Sequence, residues 1–180
     1  MKPGPVTPDR FKPDPFKEGL AAARRGDYAT AAQLWGALAA QGDARAQYNL
    51  GFLCANGQGV PQDYAKAVEW YTKAADQGFA PAQFNLGVLL SRDDGVPPDY
   101  GAALKWYRKA AAQGDGDAQF NIGVTYAVGQ GVRQDYVQAF AWYHRAHKAG
   151  HETAAKTRDS IAAEMTPEQL AEARQRVDFS

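Results

Sequence analysis

Apolar and polar positions recur along the middle of this chain with a period of 36 residues. The period is clearest in three tetrapeptides, which are Tyr48-Asn49-Leu50-Gly51, Phe84-Asn85-Leu86-Gly87 and Phe120-Asn121-Ile122-Gly123. The same offset superposes three Asp-Tyr pairs, the first at Asp63, and three Trp-Tyr pairs, the first at Trp70. A fixed period in this range is typical of a solenoid, in which each unit buries its apolar face only against its neighbours. The pattern therefore predicts a stack of repeats.

Each full repeat is expected to contain two helices joined by a loop. Helix A is predicted at about residues 44 to 55 and helix B at about residues 63 to 77, with equivalents 36 and 72 residues further on. Helix B begins at Asp63 and its equivalents, where a carboxylate can accept from unpaired backbone N–H groups. It ends at Gly78 and its equivalents, since a left-handed backbone costs least for glycine. The chain is therefore predicted to be all-α.

The flanking segments depart from this pattern. The first of them is rich in proline and is expected to be extended and flexible. Near the other end, Thr166-Pro167-Glu168-Gln169 predicts the start of a helix that covers the apolar end of the stack. The predicted organisation is a tail (1–15), a shortened N-terminal repeat (16–43), three full repeats (44–79, 80–115 and 116–150) and C-terminal capping helices (151–180).

The stretch AQYNLGFLCANGQGVPQDYAKAVEWYTKAADQG and its two repetitions resemble the Sel-one-like repeat family, a relative of the tetratricopeptide repeats. The resemblance implies a right-handed α-solenoid and an adaptor role in protein complexes. Some cysteine-rich members of the family have been described as β-lactamases or penicillin binders, and these carry paired cysteines in every repeat. Cys54 is the only cysteine of this chain. A hydrolase of cell-wall or β-lactam substrates is therefore kept only as the runner-up to a non-catalytic adaptor.

One pole of helix A faces away from the predicted core. With Leu50 as the core direction and 100° per residue, Tyr48 and Phe52 lie near the opposite pole. In tetratricopeptide-like stacks this pole lines the concave groove, and in some tetratricopeptide domains an asparagine at its flank hydrogen-bonds a peptide. We call the corresponding predicted peptide-binding surface the A-helix groove. Its residues are Phe16, Leu20, Tyr48, Asn49, Phe52, Phe84, Asn85, Val88, Phe120, Asn121 and Val124.

Two structural alternatives compete with a binding role for the A-helix groove. Its aromatic side chains could pack on helix B or on the next helix A instead of facing a ligand. Its asparagines could form a ladder in which each bonds the backbone of the neighbouring repeat, a role that is compatible with peptide binding. The Trp-Tyr pairs are predicted to belong to the core.

The remaining features limit the classes of function. The 20 basic and 20 acidic residues balance, which argues against a nucleic-acid or anionic-membrane surface as the main role. No apolar run approaches the roughly 18 residues that span a bilayer. Neither a catalytic motif nor a cofactor site is recognisable. A zinc site at His144, His147 and His151 is not favoured, because Gly150 breaks the helix and His147 is expected to fill space against the cap.

The expected partner is therefore a protein or a peptide, without nucleic acid or membrane insertion. Self-association through the A-helix groove or the proline-rich tail is a further alternative, with Phe11 as the anchor of the tail. The chain as given lacks an apolar leader and is expected to be cytoplasmic, or periplasmic or secreted if a signal peptide was removed.

Overall fold

The computed structural model describes residues 14–94 and 97–178, and every regular element within these ranges is an α-helix. The prediction for the tail, including Phe11, lies almost entirely outside the described residues. The helices are α1 (Pro15–Arg24), α2 (Tyr28–Ala40), α3 (Ala44–Asn56), α4 (Tyr64–Asp76), α5 (Ala80–Leu90), α6 (Tyr100–Ala111), α7 (Gly116–Val128), α8 (Tyr136–Lys148), α9 (Ala154–Ala162) and α10 (Pro167–Asp178).

Packing follows the order of the chain. From α1 to α9, consecutive helices pack on one another, and α10 returns onto α8. In the three full repeats, α3, α5 and α7 are the A helices and α4, α6 and α8 are the B helices. The prediction of an all-α solenoid is confirmed.

The predicted ends of helix B are also confirmed. Asp63 precedes α4, and its carboxylate accepts a hydrogen bond of 2.9 Å from the backbone N–H of Lys66. The aspartates before α6 and α8 cap those helices in the same way. Gly78 follows α4 with a φ of 85°, a left-handed conformation that favours glycine. Local sequence signals therefore set where each B helix begins and ends.

The Trp-Tyr pairs divide between the core and its edge. Tyr71 and its two equivalents are buried, whereas Trp70 and its equivalents are only half-buried. A cation one turn further along the helix covers the outer side of each tryptophan, as Lys73 Nζ does at 4.3 Å from the ring of Trp70. The prediction of core residues therefore holds fully only for the tyrosines, because the preceding residue lies about 100° further round the helix.

The C-terminal helices cover the end of the third repeat. Ala173 of α10 is completely buried in a cluster with Val137 and Phe140 of α8. The start of α10 is fixed by two reciprocal hydrogen bonds between Thr166 and Gln169, of 2.9 and 3.2 Å. This arrangement is the capping box that the sequence predicts.

The expectation for His147 is wrong, since its side chain is exposed. It occupies the position of Ala75 and Ala111, which are both buried. The following A helix covers each of those alanines, but α9 does not cover position 147 in the same way. The difference arises because the repeat pattern ends at Gly150.

Candidate functional site

A hollow of about 340 Å³ lies between the A helices α3 and α5. Phe52 forms one wall, and Asn85 and Val88 form the other. Arg92 and Asp94 close one side as an ion pair, with 2.7 Å between Nε and Oδ2. The hollow therefore combines apolar and amide groups with a rim whose charges are already paired.

A second and smaller hollow, of about 60 Å³, occupies the equivalent place one repeat further on. Asn121 and Val124 line it, 36 residues after Asn85 and Val88. The structure thus brings these five members of the predicted A-helix groove (Phe52, Asn85, Val88, Asn121 and Val124) to hollows between successive A helices.

The aromatic residues of the predicted groove contact helix B of their own unit, and some of them also contact the unit that follows. Ring centroids of Phe84 and Tyr107 are 6.0 Å apart, and those of Tyr48 and Tyr71 are 5.7 Å apart. These side chains are half-buried. Phe84 therefore contacts helix B, whereas Tyr48 contacts both helix B and the start of the next A helix, where its ring lies 5.4 Å from that of Phe79. Phe52 differs from them, because 43% of its surface is exposed.

The two ends of the predicted groove are covered by other side chains. At the N-terminal end, the guanidinium of Arg45 lies 4.2 Å from the centre of the Phe16 ring, and Leu20 packs against the core. At the C-terminal end, the rings of Phe120 and His151 stack at 4.1 Å. Within the predicted groove, Phe52 in the middle of the stack is therefore the large apolar residue with the most accessible surface.

The three groove asparagines have different surroundings. The Asn85 amide donates to the hydroxyls of Tyr48 and Tyr71 in the preceding repeat, both at 3.3 Å. This is an inter-repeat link, although it uses side-chain hydroxyls and not the backbone acceptors that the sequence suggests. Burial raises the pKa of Tyr71, so its hydroxyl stays protonated. The Oδ1 atom of Asn85 remains as an acceptor on the hollow.

The side chains of Asn49 and Asn121 make no hydrogen bond to any other residue that the structure describes. For Asn121, the reason is the loss of the tyrosine acceptors. Phe84 takes the place of Tyr48 before Asn121, and the Tyr107 hydroxyl lies 3.1 Å from Ser91 Oγ. Asn121 therefore presents a complete amide to the smaller hollow, where it is able to donate and accept.

Sequence reasoning missed the loop side of the larger hollow. Gln62 and Tyr64 line it, and the Gln62 amide donates to Ala55 O at 2.9 Å and to the Tyr64 hydroxyl at 3.0 Å. The sequence did contain a signal, since Gln-Asp-Tyr occurs both at 62–64 and at 134–136. Gln134 and Tyr136 make the same contact as Gln62 and Tyr64.

Reactive groups do not converge on these hollows. Cys54 is buried and burial raises the pKa of its thiol, which makes the thiolate nucleophile scarce at neutral pH. Among residues 14–94 and 97–178, no group of three or more His, Cys, Asp or Glu side chains is placed to hold a metal ion. Within the same part of the chain, no helix has the length and apolarity needed to cross a membrane.

Comparisons with known proteins agree with one another and with the repeat structure described above. A family model described as Sel1 repeat matches residues 44–79, 80–115 and 116–151. The structure of a Sel1 repeat protein from Oxalobacter formigenes is similar, with 36% sequence identity and a TM-score of 0.71. That match covers 79% of this chain and 57% of the other.

A protective antigen present in uropathogenic Escherichia coli strains, which displays an SLR fold, is also similar, with 29% identity and a TM-score of 0.53. The match covers 91% of this chain and 44% of the antigen. The chain thus spans about half the length of these two relatives. No curated protein matches it.

Proposed function

This chain belongs to the Sel1 repeat family, and we propose that it is a non-catalytic adaptor that binds an extended peptide or a helix of another protein on its A-helix groove. Sel1 repeats are typically protein–protein interaction scaffolds. The observation that carries the proposal is the hollow between α3 and α5, which offers the exposed ring of Phe52 beside the unused acceptor of Asn85.

The apolar part of the hollow is large enough to contribute measurable affinity. Covering the exposed part of Phe52, roughly 90 Å² of ring surface, would contribute about 2 kcal/mol before the costs of association are subtracted. An apolar side chain of the ligand between Phe52 and Val88 is the simplest way to cover it. The paired Arg92 and Asp94 favour an uncharged residue at this point.

The amides would provide orientation. An extended peptide presents alternating backbone N–H and C=O groups, and Asn85 offers an acceptor to it. Asn121, one repeat further on, offers both a donor and an acceptor. Residues Phe16, Leu20, Tyr48, Phe84 and Phe120 would support these contacts mainly by packing on helix B or on the core. Asn49 would contact the ligand only if the ligand extends to the first full repeat.

The proposal is tested with a peptide selected on the purified chain from a displayed random library. Its affinity is then measured by calorimetry for the wild type, Phe52→Ser and Asn121→Ala. Both changes are expected to weaken binding, and Phe52→Ser about tenfold or more. Glu69→Ser, at an exposed position on α4, is the control and should bind as the wild type does. Selected peptides whose affinity is unchanged by both groove substitutions would overturn the assignment.

The other two hypotheses have less support. A cell-wall or β-lactam hydrolase needs an activated nucleophile, and the thiol of Cys54 is buried with a raised pKa. Self-association would cover Phe52 with a second copy, and a molar mass that rises with concentration in light scattering would favour it. A molar mass that does not change with concentration would argue against self-association and favour a different partner for this surface.

A further inference from the structure

Glutamine side chains join successive helices where the A helices begin. The Gln83 amide donates to Ala75 O at the end of α4, at 3.1 Å. Its Oε1 accepts a hydrogen bond of 2.9 Å from the Gln113 amide, which follows α6. Gln47 makes the same contacts one repeat earlier, donating to Ala39 O and accepting from Gln77. We call each such arrangement a glutamine rung.

The third glutamine rung is incomplete. Gln119 donates to Ala111 O at 3.3 Å, as the first two rungs would predict. However, the residue that corresponds to Gln77 and Gln113 is Ala149, which has no amide. The Oε1 atom of Gln119 is consequently shielded from solvent and accepts no hydrogen bond within the described part of the chain. Leaving a shielded acceptor without a donor is costly, so this atom is suited to a ligand that supplies one.

A hollow of about 320 Å³ replaces the missing side chain. Gln119 and Ala149 line it, together with His144, Arg145 and Lys148. The volume accommodates one glutamine side chain with part of its backbone. In the first two rungs the side chains of Gln77 and Gln113 occupy the equivalent place and bond Gln47 and Gln83.

The rim of this hollow carries more positive charge than the equivalent place in the first rung. Lys148 is exposed, whereas the corresponding residue in the first rung is the anionic Asp76. The guanidinium of Arg145 is held over the ring of Trp142, at 4.8 Å from its centre. This contact orients the cation without neutralising its charge. A ligand that places carboxylates near the rim would therefore be attracted to it.

We propose that the incomplete third rung binds the side-chain carboxamide of a glutamine or asparagine in an acidic segment of a partner protein. The carboxamide enters the hollow and donates to Gln119 Oε1, as Gln113 donates to Gln83. Carboxylates on either side of it pair with Lys148 and Arg145. Docking includes a small rotation of the Gln119 side chain toward the hollow. The proposal does not rest on the A-helix groove, which uses different residues.

The test uses the full chain and a blocked tripeptide, acetyl-Glu-Gln-Glu N-methylamide, titrated at millimolar concentration. Saturable changes are expected in the NMR signals of the Gln119 side-chain amide and of the Lys148 and Ala149 backbone amides. Replacing the central glutamine with methionine, which has a similar length but no amide, should weaken binding about fivefold. Lys148→Glu should weaken it two- to fivefold, the range of exposed ion pairs.

The decisive variant is Ala149→Gln, which restores the side chain found in the other two rungs. It is expected to fill the hollow, abolish peptide binding and raise the melting temperature, so loss of binding would not reflect unfolding. Ala112→Gln, an equal change at an exposed position after α6, is the matched control and should bind normally.

Four results would overturn the proposal, and the first three concern the hollow itself. Those three are an absence of saturable shifts, unchanged binding by Ala149→Gln, and free glutamine that binds as tightly as the tripeptide. Shifts confined to Phe52 and Asn85 would also contradict it, while supporting the A-helix groove. Failure at one site is therefore distinguishable from failure at the other.

Discussion

Gly87 and Tyr107 of the second repeat lie so close that the tyrosine ring occupies the space of any side chain at position 87. A Cβ atom built on Gly87 would be 2.6 Å from Tyr107 Cε1, well inside van der Waals contact. Gly51 and Gly123 have the same relation to their tyrosines, and Gly19 has it to Trp35. The glycine of the repeated tetrapeptide is therefore required by the close packing of helix A on helix B.

Gly87→Ala is expected to lower the free energy of unfolding by about 1–3 kcal/mol, because the ring of Tyr107 is buried and has to move. Gly36→Ala is the matched control, since Gly36 also lies within a helix but has no atom within 4 Å of its missing Cβ. That change should stabilise the protein by roughly 0.5–1 kcal/mol. Urea denaturation measures both, and equal effects would contradict the packing argument.

Asn85→Ala is expected to cost about 1–3 kcal/mol, because the buried hydroxyl of Tyr71 loses its donor and the link to the preceding repeat is broken. Asn121→Ala should change stability little, since its side chain bonds no other described residue. Thermal denaturation of the two variants side by side separates these outcomes. Similar losses for both would mean that Asn85 does not act through its tyrosines.

The cap is tested by Ala173→Glu. Ala173 is completely buried against Val137 and Phe140, so a charge there should destabilise the protein by about 3 kcal/mol or more. Ala171→Glu, at an exposed position on the same helix, should have little effect. Deletion of residues 151–180 is expected to expose Val137 and Phe140 and to cause aggregation. A truncated chain that stays monomeric with an unchanged melting temperature would contradict a capping role.

Acid is expected to weaken the start of α4. Hydrogen bonds from Lys66, first of all from its backbone N–H, lower the pKa of Asp63 below its ordinary value. The folded-state pKa thus lies below the unfolded one, so the stabilisation is complete above pH about 4 and is lost as the pH falls through the folded pKa. Asp63→Asn keeps a capping oxygen that does not titrate.

Melting temperatures of the wild type and Asp63→Asn, measured from pH about 6 to 2, are the test of this acid effect. The advantage of the wild type should shrink as the pH falls. An advantage that stays constant across the range would show that the charge of Asp63 does not contribute.

The sequence was sufficient for the architecture because one period repeats the same local signals. Asp63 and Gly78, for example, act through their own backbone surroundings and need no knowledge of the tertiary structure. The second repeat departs from the others, since Asp93 stands where Gly57 and Gly129 adopt a left-handed backbone. There α5 ends at Leu90, and every positive φ among the described residues belongs to glycine. Because α5 is shorter than α3 and α7, Asp93 has a different backbone conformation from the glycines at the equivalent positions.

The surface of the A helices was harder to predict. A helical projection placed Phe84 opposite the core of its own helix, but it could not show that Tyr107 approaches from the neighbouring helix. Likewise, Asn85 and Asn121 are identical in the pattern, and they differ because Tyr48 carries a hydroxyl that Phe84 lacks. Binding surfaces depend on these pairwise contacts, which the period alone does not contain.

The order of contacts along the stack has a consequence for how such a protein changes in length. Because the helices pack mainly on their neighbours in sequence, the boundary between one full repeat and the next is built at equivalent positions each time it occurs, although single contacts such as those of Asn85 differ. An in-frame duplication of residues 80–115 would insert a unit that meets its neighbours through the same helix positions, although its copy of Asn85 would meet Phe84 in the preceding unit and lack the hydroxyl that Tyr48 provides. Mutation could therefore lengthen the protein by whole repeats while α1 and α10 continue to close its ends.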